Sequence, residues 1–208
     1  MIILEAGKPV ELGDAGEAAD AILVPWFGGE MGARAIADVL TGKVNPAGRL
    51  PVSFPRSAGM LPCYYSRLPG ASAEYLEGRR DAVYPFGHGL SYTAFAYRDL
   101  QLEETCAPYG VRVSLTVKNT GDRAGDEVVQ LYVRDEESSI VTPMKQLRGF
   151  KRITLAPGEA KTVAFDLGFD DFKLMNKRYE WVVEPGDFMV MIGASSEDIR
   201  LEGRIILS

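Results

Sequence analysis

The side chains best suited to chemistry in this sequence are a carboxylate in a glycine-rich turn, the single histidine, a short charged run and a few aromatic rings. Glu30 follows Gly28 and Gly29 and precedes Met31 and Gly32. A strand gives way to a helix there, a junction that often carries ligand groups in α/β folds. The competing role is local: a carboxylate at that point interacts with the first-turn amides and positive dipole end of the following helix, and this is the reading adopted. Gly28, Gly29 and Gly32 have neither P-loop nor dinucleotide-fingerprint spacing, and no matching lysine or downstream acid completes either motif. Trp26 ends the strand before this turn, where its ring can stack on a pyranose face or pack into a core. It is the one candidate substrate contact. His88 lies between Gly87 and Gly89 without a nearby Ser/Asp or metal-ligand partner, so it takes a structural role and not a place in a triad. Glu74, Glu77, Arg79, Arg80 and Asp81 read as a solvated loop, and Tyr179 and Trp181 as core positions of a strand. Cys63 and Cys106 show no CxxC or Cys/His spacing; no metal or cofactor is expected, and a disulfide between them is left open.

The elements that position these groups fall into two kinds. Residues 1–6 and 21–25 are short, nearly continuous apolar runs of the type found in parallel sheets covered on both faces. Between them turn formers mix with acids. Ala33, Ile36, Ala37 and Leu40 then recur at helical spacing, and Gly42 supplies a stop. Pro46, Pro51 and Pro55 forbid a long helix over 45–55 and predict an extended segment pinned by turns. Residues 67–84 lack periodicity and read as a loop or linker.

Beyond the linker the period changes to two. Val111, Val113, Leu115 and Val117 alternate with Arg112, Ser114, Thr116 and Lys118, which predicts a half-buried strand. Similar runs follow at 126–134, 146–155, 161–167, 178–184, 187–194 and 199–207, with Pro157-Gly158 and Pro185-Gly186 as tight turns. The fold class expected is therefore mixed: an incomplete α/β, parallel-sheet segment over 1–66, a linker over 67–95, and an antiparallel β-sandwich of immunoglobulin-like or fibronectin-like design over 96–208. A sandwich of that length can bury its own alternating faces. The front segment cannot, because two buried-type strands and one helix leave most of a parallel sheet missing and its apolar faces open. Its cover would be an upstream part of the same protein, a separate chain or a second copy of this one.

The net charge of −6 and pI near 5.0 leave no basic footprint for phosphate backbones, so nucleic acid is not an expected partner. No run reaches the roughly 18 apolar residues that span a bilayer, and residues 1–12 carry neither a basic n-region nor a cleavage site. Neither a membrane partner nor a signal peptide is expected in this stretch, and localisation is left open.

Four segments, taken in order, resemble one family. WFGGEMGARAIADVLTGKVNPAGRLPVSFP (26–55) is similar to the end of the α/β sandwich domain of family 3 glycoside hydrolases, and YPFGHGLSYT (84–93) resembles the passage into their fibronectin type III-like domain. KQLRGFKRITLAPGE (145–159) and VVEPGDFMVMIG (182–193) resemble strands and turns of that last domain. The resemblance implies a parent enzyme of β-glucosidase or β-xylosidase type, with a TIM-like barrel first, and retaining cleavage of β-linked glucosides or xylosides from non-reducing ends. That mechanism needs two carboxylates about 5 Å apart. In the family the nucleophile is an Asp of the barrel, and the acid/base is usually a Glu well before the WFGGE-like turn. Neither maps onto a position here, so no catalytic residue is assigned. The expected role is structural, alongside the parent's upstream barrel and sandwich portions. A non-catalytic carbohydrate- or protein-binding module is the alternative.

Overall fold

The computed structural model of the chain describes residues 1–70 and 82–208. The charged run at 74–81 therefore lies outside the described residues, apart from which the linker reading covers 67–70 and 82–95.

At the front, β1 (Ile2–Ile3) and β2 (Ile22–Leu23) pair in parallel, Ile2 opposite Ile22 and Ile3 opposite Leu23. This is the parallel sheet the apolar runs predict, reduced to two short strands. A short helix, α1 (Gly13–Glu17), connects them, and α2 (Gly32–Leu40) follows β2. Gly42 ends α2 in a left-handed conformation (φ +73°), which L side chains rarely adopt. The proline-rich segment is extended up to β3 (Phe54–Pro55), which pairs antiparallel with β4 (Ala82–Tyr84). One 3₁₀ turn spans Ala58–Met60.

The sandwich has two antiparallel sheets. One holds β5 (Phe95–Glu104), β6 (Val111–Asn119) and β9 (Ala160–Leu167) in the order β5-β6-β9. The other contains β7 (Gly125–Asp135), β8 (Gln146–Leu155), β12 (Gly186–Gly193) and β13 (Ile199–Leu207), ordered β13-β12-β7-β8. The four aliphatics of β6 are essentially inaccessible and face Val129, Leu131 and Val133 of β7 and Val190 and Ile192 of β12. Period-two patterning thus places its apolar set between the sheets, where burial at about 25 cal/mol per Å² drives closure.

A short helix, α3 (Phe169–Phe172), and a two-strand hairpin, β10 (Leu174–Met175) with β11 (Trp181–Val182), close one end. Here the structure corrects the sequence reading. Trp181 is 53% exposed and Tyr179 86% exposed, so neither belongs to the core. The predicted strand over 178–184 shrinks to two residues because Tyr179 takes a positive φ of 63° in the turn and breaks the alternation.

β7 explains how the front half is attached. Its odd-numbered residues face the other sheet, while Gln130 and Tyr132 point outward yet are also buried. They are covered by the chain between β3 and β5: Tyr65 stacks on Phe86 with centroids 4.2 Å apart and meets Tyr132 edge-on at 5.9 Å.

Candidate functional site

The turn after β2 is built on two left-handed residues, Trp26 (φ 54°) and Gly29 (φ 62°). For a tryptophan that conformation is an outlier and marks a backbone held by its surroundings. Gly28 is required by packing: a Cβ there would lie 2.8 Å from the Gly32 Cα. The turn leaves Phe27 80% exposed, resting on Gly7 after β1, whose own Cβ would sit 2.8 Å from the phenyl ring. Both groups lie at the carboxyl ends of the parallel strands, the edge where α/β sheets bind ligands. Glu30 is exposed in the same turn, and no side-chain hydrogen bond caps α2. The local role assigned to it thus reduces to the favourable placement of a carboxylate near a helix N-terminus.

Trp26 is half-buried. Its ring tilts against Phe54 at 6.1 Å, Phe54 meets Tyr84 edge-on at 6.4 Å, and Tyr84 stacks on His88 at 5.5 Å. The aromatic series runs from the turn to the sandwich. His88 is held below the usual imidazole range, first by burial and then by the Arg49 guanidinium, in keeping with a neutral packing role.

Arg49 is the next link. Its guanidinium lies 2.7 Å from Glu127 of β7, and both side chains are almost wholly buried. Leu50 N–H donates to the His88 carbonyl, and Gly87 N–H donates to that of Leu50. The Gln130 amide donates to the carbonyls of Gly87 (3.1 Å) and Ala194 (2.7 Å) and accepts from the Tyr132 hydroxyl at 2.5 Å. Gly87 must be glycine: its φ is +80°, and a Cβ would come within 2.0 Å of the Gln130 amide oxygen. Burial raises the Tyr97 and Tyr132 hydroxyls far above the usual phenol range. A groove of about 820 Å³ beside this seam is lined by Ser53, Tyr65, Arg67, Ser196 and Glu197 among others.

The carboxylates that most resemble an acid and a base are Asp135 and Glu184. Burial, then the Glu184 charge, raises Asp135 to about 6, while hydrogen bonds from Ser139 hold Glu184 below its ordinary value. Divergent values of this kind are a feature of catalytic pairs. Glu184, however, accepts from the Ser139 amide (2.8 Å) and hydroxyl (2.5 Å) on its two oxygens, which leaves it committed to the loop. Among the described residues no cluster of three His, Cys, Asp or Glu side chains suits a metal ion, and no helix is long and apolar enough to cross a membrane. No disulfide joins Cys63 and Cys106. Sequence reading did not find Phe27, the Arg49–Glu127 pair or Asp135. Of these only Phe27, beside Trp26 in the glycine-rich turn, left a local signal.

Residues 1–92 match the glycosyl hydrolase family 3 C-terminal domain, and residues 127–196 match a fibronectin type III-like domain. A β-xylosidase of Formosa agariphila is 43% identical over 203 residues, which is 95% of this chain and 28% of that protein. A periplasmic β-glucosidase of Salmonella typhimurium is 41% identical, over 96% of this chain and 28% of its own length. The chain belongs to the C-terminal portion of glycosyl hydrolase family 3. The crystal structure of the Listeria innocua β-glucosidase in complex with glucose superposes on all of this family 3 chain with a TM-score of 0.94 at 35% identity, using 31% of the crystallised chain. This family 3 portion thus spans less than a third of the proteins it matches. The mixed architecture, a parallel α/β segment followed by a fibronectin-like sandwich, agrees with the two domain matches in their order.

Proposed function

We propose that this chain serves a retaining β-glycosidase that releases glucose or xylose from non-reducing ends, and that it contributes structure and positioning while the nucleophile and the acid/base lie upstream. The observation that carries the proposal is the unfinished parallel sheet. β1 and β2 lead at their carboxyl ends to Trp26, Phe27 and Glu30, of which Phe27 and Glu30 are exposed. In a complete enzyme the upstream α/β strands and barrel would extend the sheet and supply the reacting carboxylates. The Trp26–Phe54–Tyr84–His88 series and the Arg49–Glu127 pair would then hold the edge at a fixed distance from the sandwich, and small displacements of a positioned group cost large factors in rate. Trp26 keeps its candidacy as a sugar contact through the exposed part of its ring, with Phe27 beside it.

The test is hydrolysis of p-nitrophenyl β-glucoside and β-xyloside by the purified chain. No turnover above background is expected. Turnover abolished by replacing Asp135, or any other acid of this chain, would defeat the proposal.

A further inference from the structure

The sandwich carries another concave site, at the Asp135 end of β7. Glu127 and Asp135 lie on the same face of β7, eight residues apart, so roughly 25 Å separates the Arg49 contact from the opposite end of the strand. At that far end a cavity of about 320 Å³ opens between the loop after β7, the start of β8, α3 and the β10–β11 hairpin. Its volume is at the small end of the range for ligand pockets. The floor is apolar: Phe172 and Phe188 are buried and meet edge-on at 5.1 Å.

The walls are unusual for an opening into a core. Trp181 stands over the cavity, 53% exposed. The Lys173 ammonium lies 4.8 Å from the indole centroid and bonds Asp170 at 2.5 Å, so the ring is held in place on one side. The hairpin beneath it is also fixed, since the Asn176 side-chain oxygen accepts from the amides of Arg178 (2.8 Å) and Glu180 (3.1 Å). Arg148 lines the cavity, with one guanidinium nitrogen on Gln146 and a buried Nε that has no partner among the described residues. Asp135 and Asp171 lie on the same rim, Asp171 with one carboxylate oxygen already accepting from the Gly168 amide at 2.9 Å.

We propose that this cavity is a binding site for a neutral saccharide ring, a subsite that holds one or two residues of a glycan chain at the Asp135 end of β7. Charge pattern selects the class. An anion would meet Asp135 and Asp171, and a cation would meet Lys173 and Arg148. A polyol both donates and accepts at every hydroxyl, so it can use the Arg148 side chain and the Asp135 carboxylate, both of which line the cavity, together. Its C–H faces suit a fixed indole and a phenylalanine floor. The inference is independent of where bond cleavage occurs and stands even if the chain serves no hydrolase.

The experiment is a titration of the 208-residue chain with cellohexaose and, separately, xylohexaose, followed by the indole N–H signals in two-dimensional NMR. The chain has two tryptophans, so Trp181 and Trp26 report separately. Saturable movement of the Trp181 signal is expected with a dissociation constant near or below about 1 mM, with Trp26 still. Asp135→Asn should weaken binding at least several-fold and Trp181→Ala about ten-fold or more, in proteins that keep the native dispersion of sandwich signals. Should Trp181→Ala fail to fold, Asp135→Asn alone decides. A Trp181 signal that does not move at about 10 mM sugar, or moves equally in Asp135→Asn, would overturn the proposal, as would movement of Trp26 alone.

Discussion

Asp135 shows how one residue can be placed against its own stability. Burial raises its carboxyl to about 6 from an ordinary value of 3.8, and the Glu184 charge adds to the shift. A carboxyl whose folded-state pKa is raised stabilises the fold fully below pH 4 and loses that contribution as pH rises through about 6. At neutral pH the wild-type chain therefore carries a penalty. The group is partly open to water, which screens the effect, so about 1 kcal/mol is a fair size. Asp135→Asn removes the penalty. It should melt about 2–4 °C above the wild type at pH 7.5, a shift suited to a chain of this size, and should show no advantage at pH 4. Thermal unfolding followed by circular dichroism at the two pH values measures this. An equal or lower melting temperature for the variant at pH 7.5 would contradict the burial assigned to this carboxyl. A residue that costs stability at the pH where it is ionised is the kind retained for binding, which agrees with its place on the rim of the proposed saccharide site.

At the scale of elements, the proline-rich segment and the sandwich are joined by a pair that neither could satisfy alone. Arg49 and Glu127 are 78 positions apart, and both would be stranded charges without each other. Removing one partner of such a pair commonly costs about 3–5 kcal/mol, whereas replacing both with apolar residues is often close to neutral. Glu127→Gln and Arg49→Met should each lower the urea midpoint sharply, and the double variant Arg49→Met/Glu127→Met should recover much of the loss. Additive single effects would mean that the segment and the sandwich are not coupled through this contact. The same separation explains what could and could not be read beforehand. β6 and β13 were legible because alternation over nine residues is a local signal. β5 was not, since Asp99 at φ 58° and the register shift between Arg98 and Gln101 put Leu100 and Leu102 out of phase with Tyr97. Trp181 was misread because a two-residue strand carries no period from which to tell inside from outside. In the candidate site, the glycine turn around Trp26 was visible, while the burial of Arg49, Glu127 and Asp135 depends on partners brought together only by the fold.

For the whole molecule the imbalance lies in the front sheet. β1 and β2 are tied by Ile2 N–H to the Ala21 carbonyl (2.9 Å) and Leu4 N–H to the Leu23 carbonyl (2.8 Å). In the same front segment Ile3, Phe27, Met31 and Leu40 are each more than two-fifths exposed. A two-stranded unit of this length is marginal in water, and exposed apolar side chains of this kind mark a surface that a partner can cover. Hydrogen exchange on the chain alone should therefore show the amides of Ile2 and Leu4 exchanging by local opening, orders of magnitude faster than those of β6 and β7, whose exchange should track global unfolding. Mixing with a separately produced barrel and upstream α/β portion of a family 3 β-glucosidase should slow the front amides toward the sandwich rate and leave β6 and β7 little changed. If a second copy covers the sheet instead, the same protection will appear with rising chain concentration and without the added portion, because association then supplies the missing strands by mass action. Protection of Ile2 and Leu4 equal to that of β7 in dilute, unmixed chain would mean that this front sheet is complete as it stands, and the need for a covering partner would disappear.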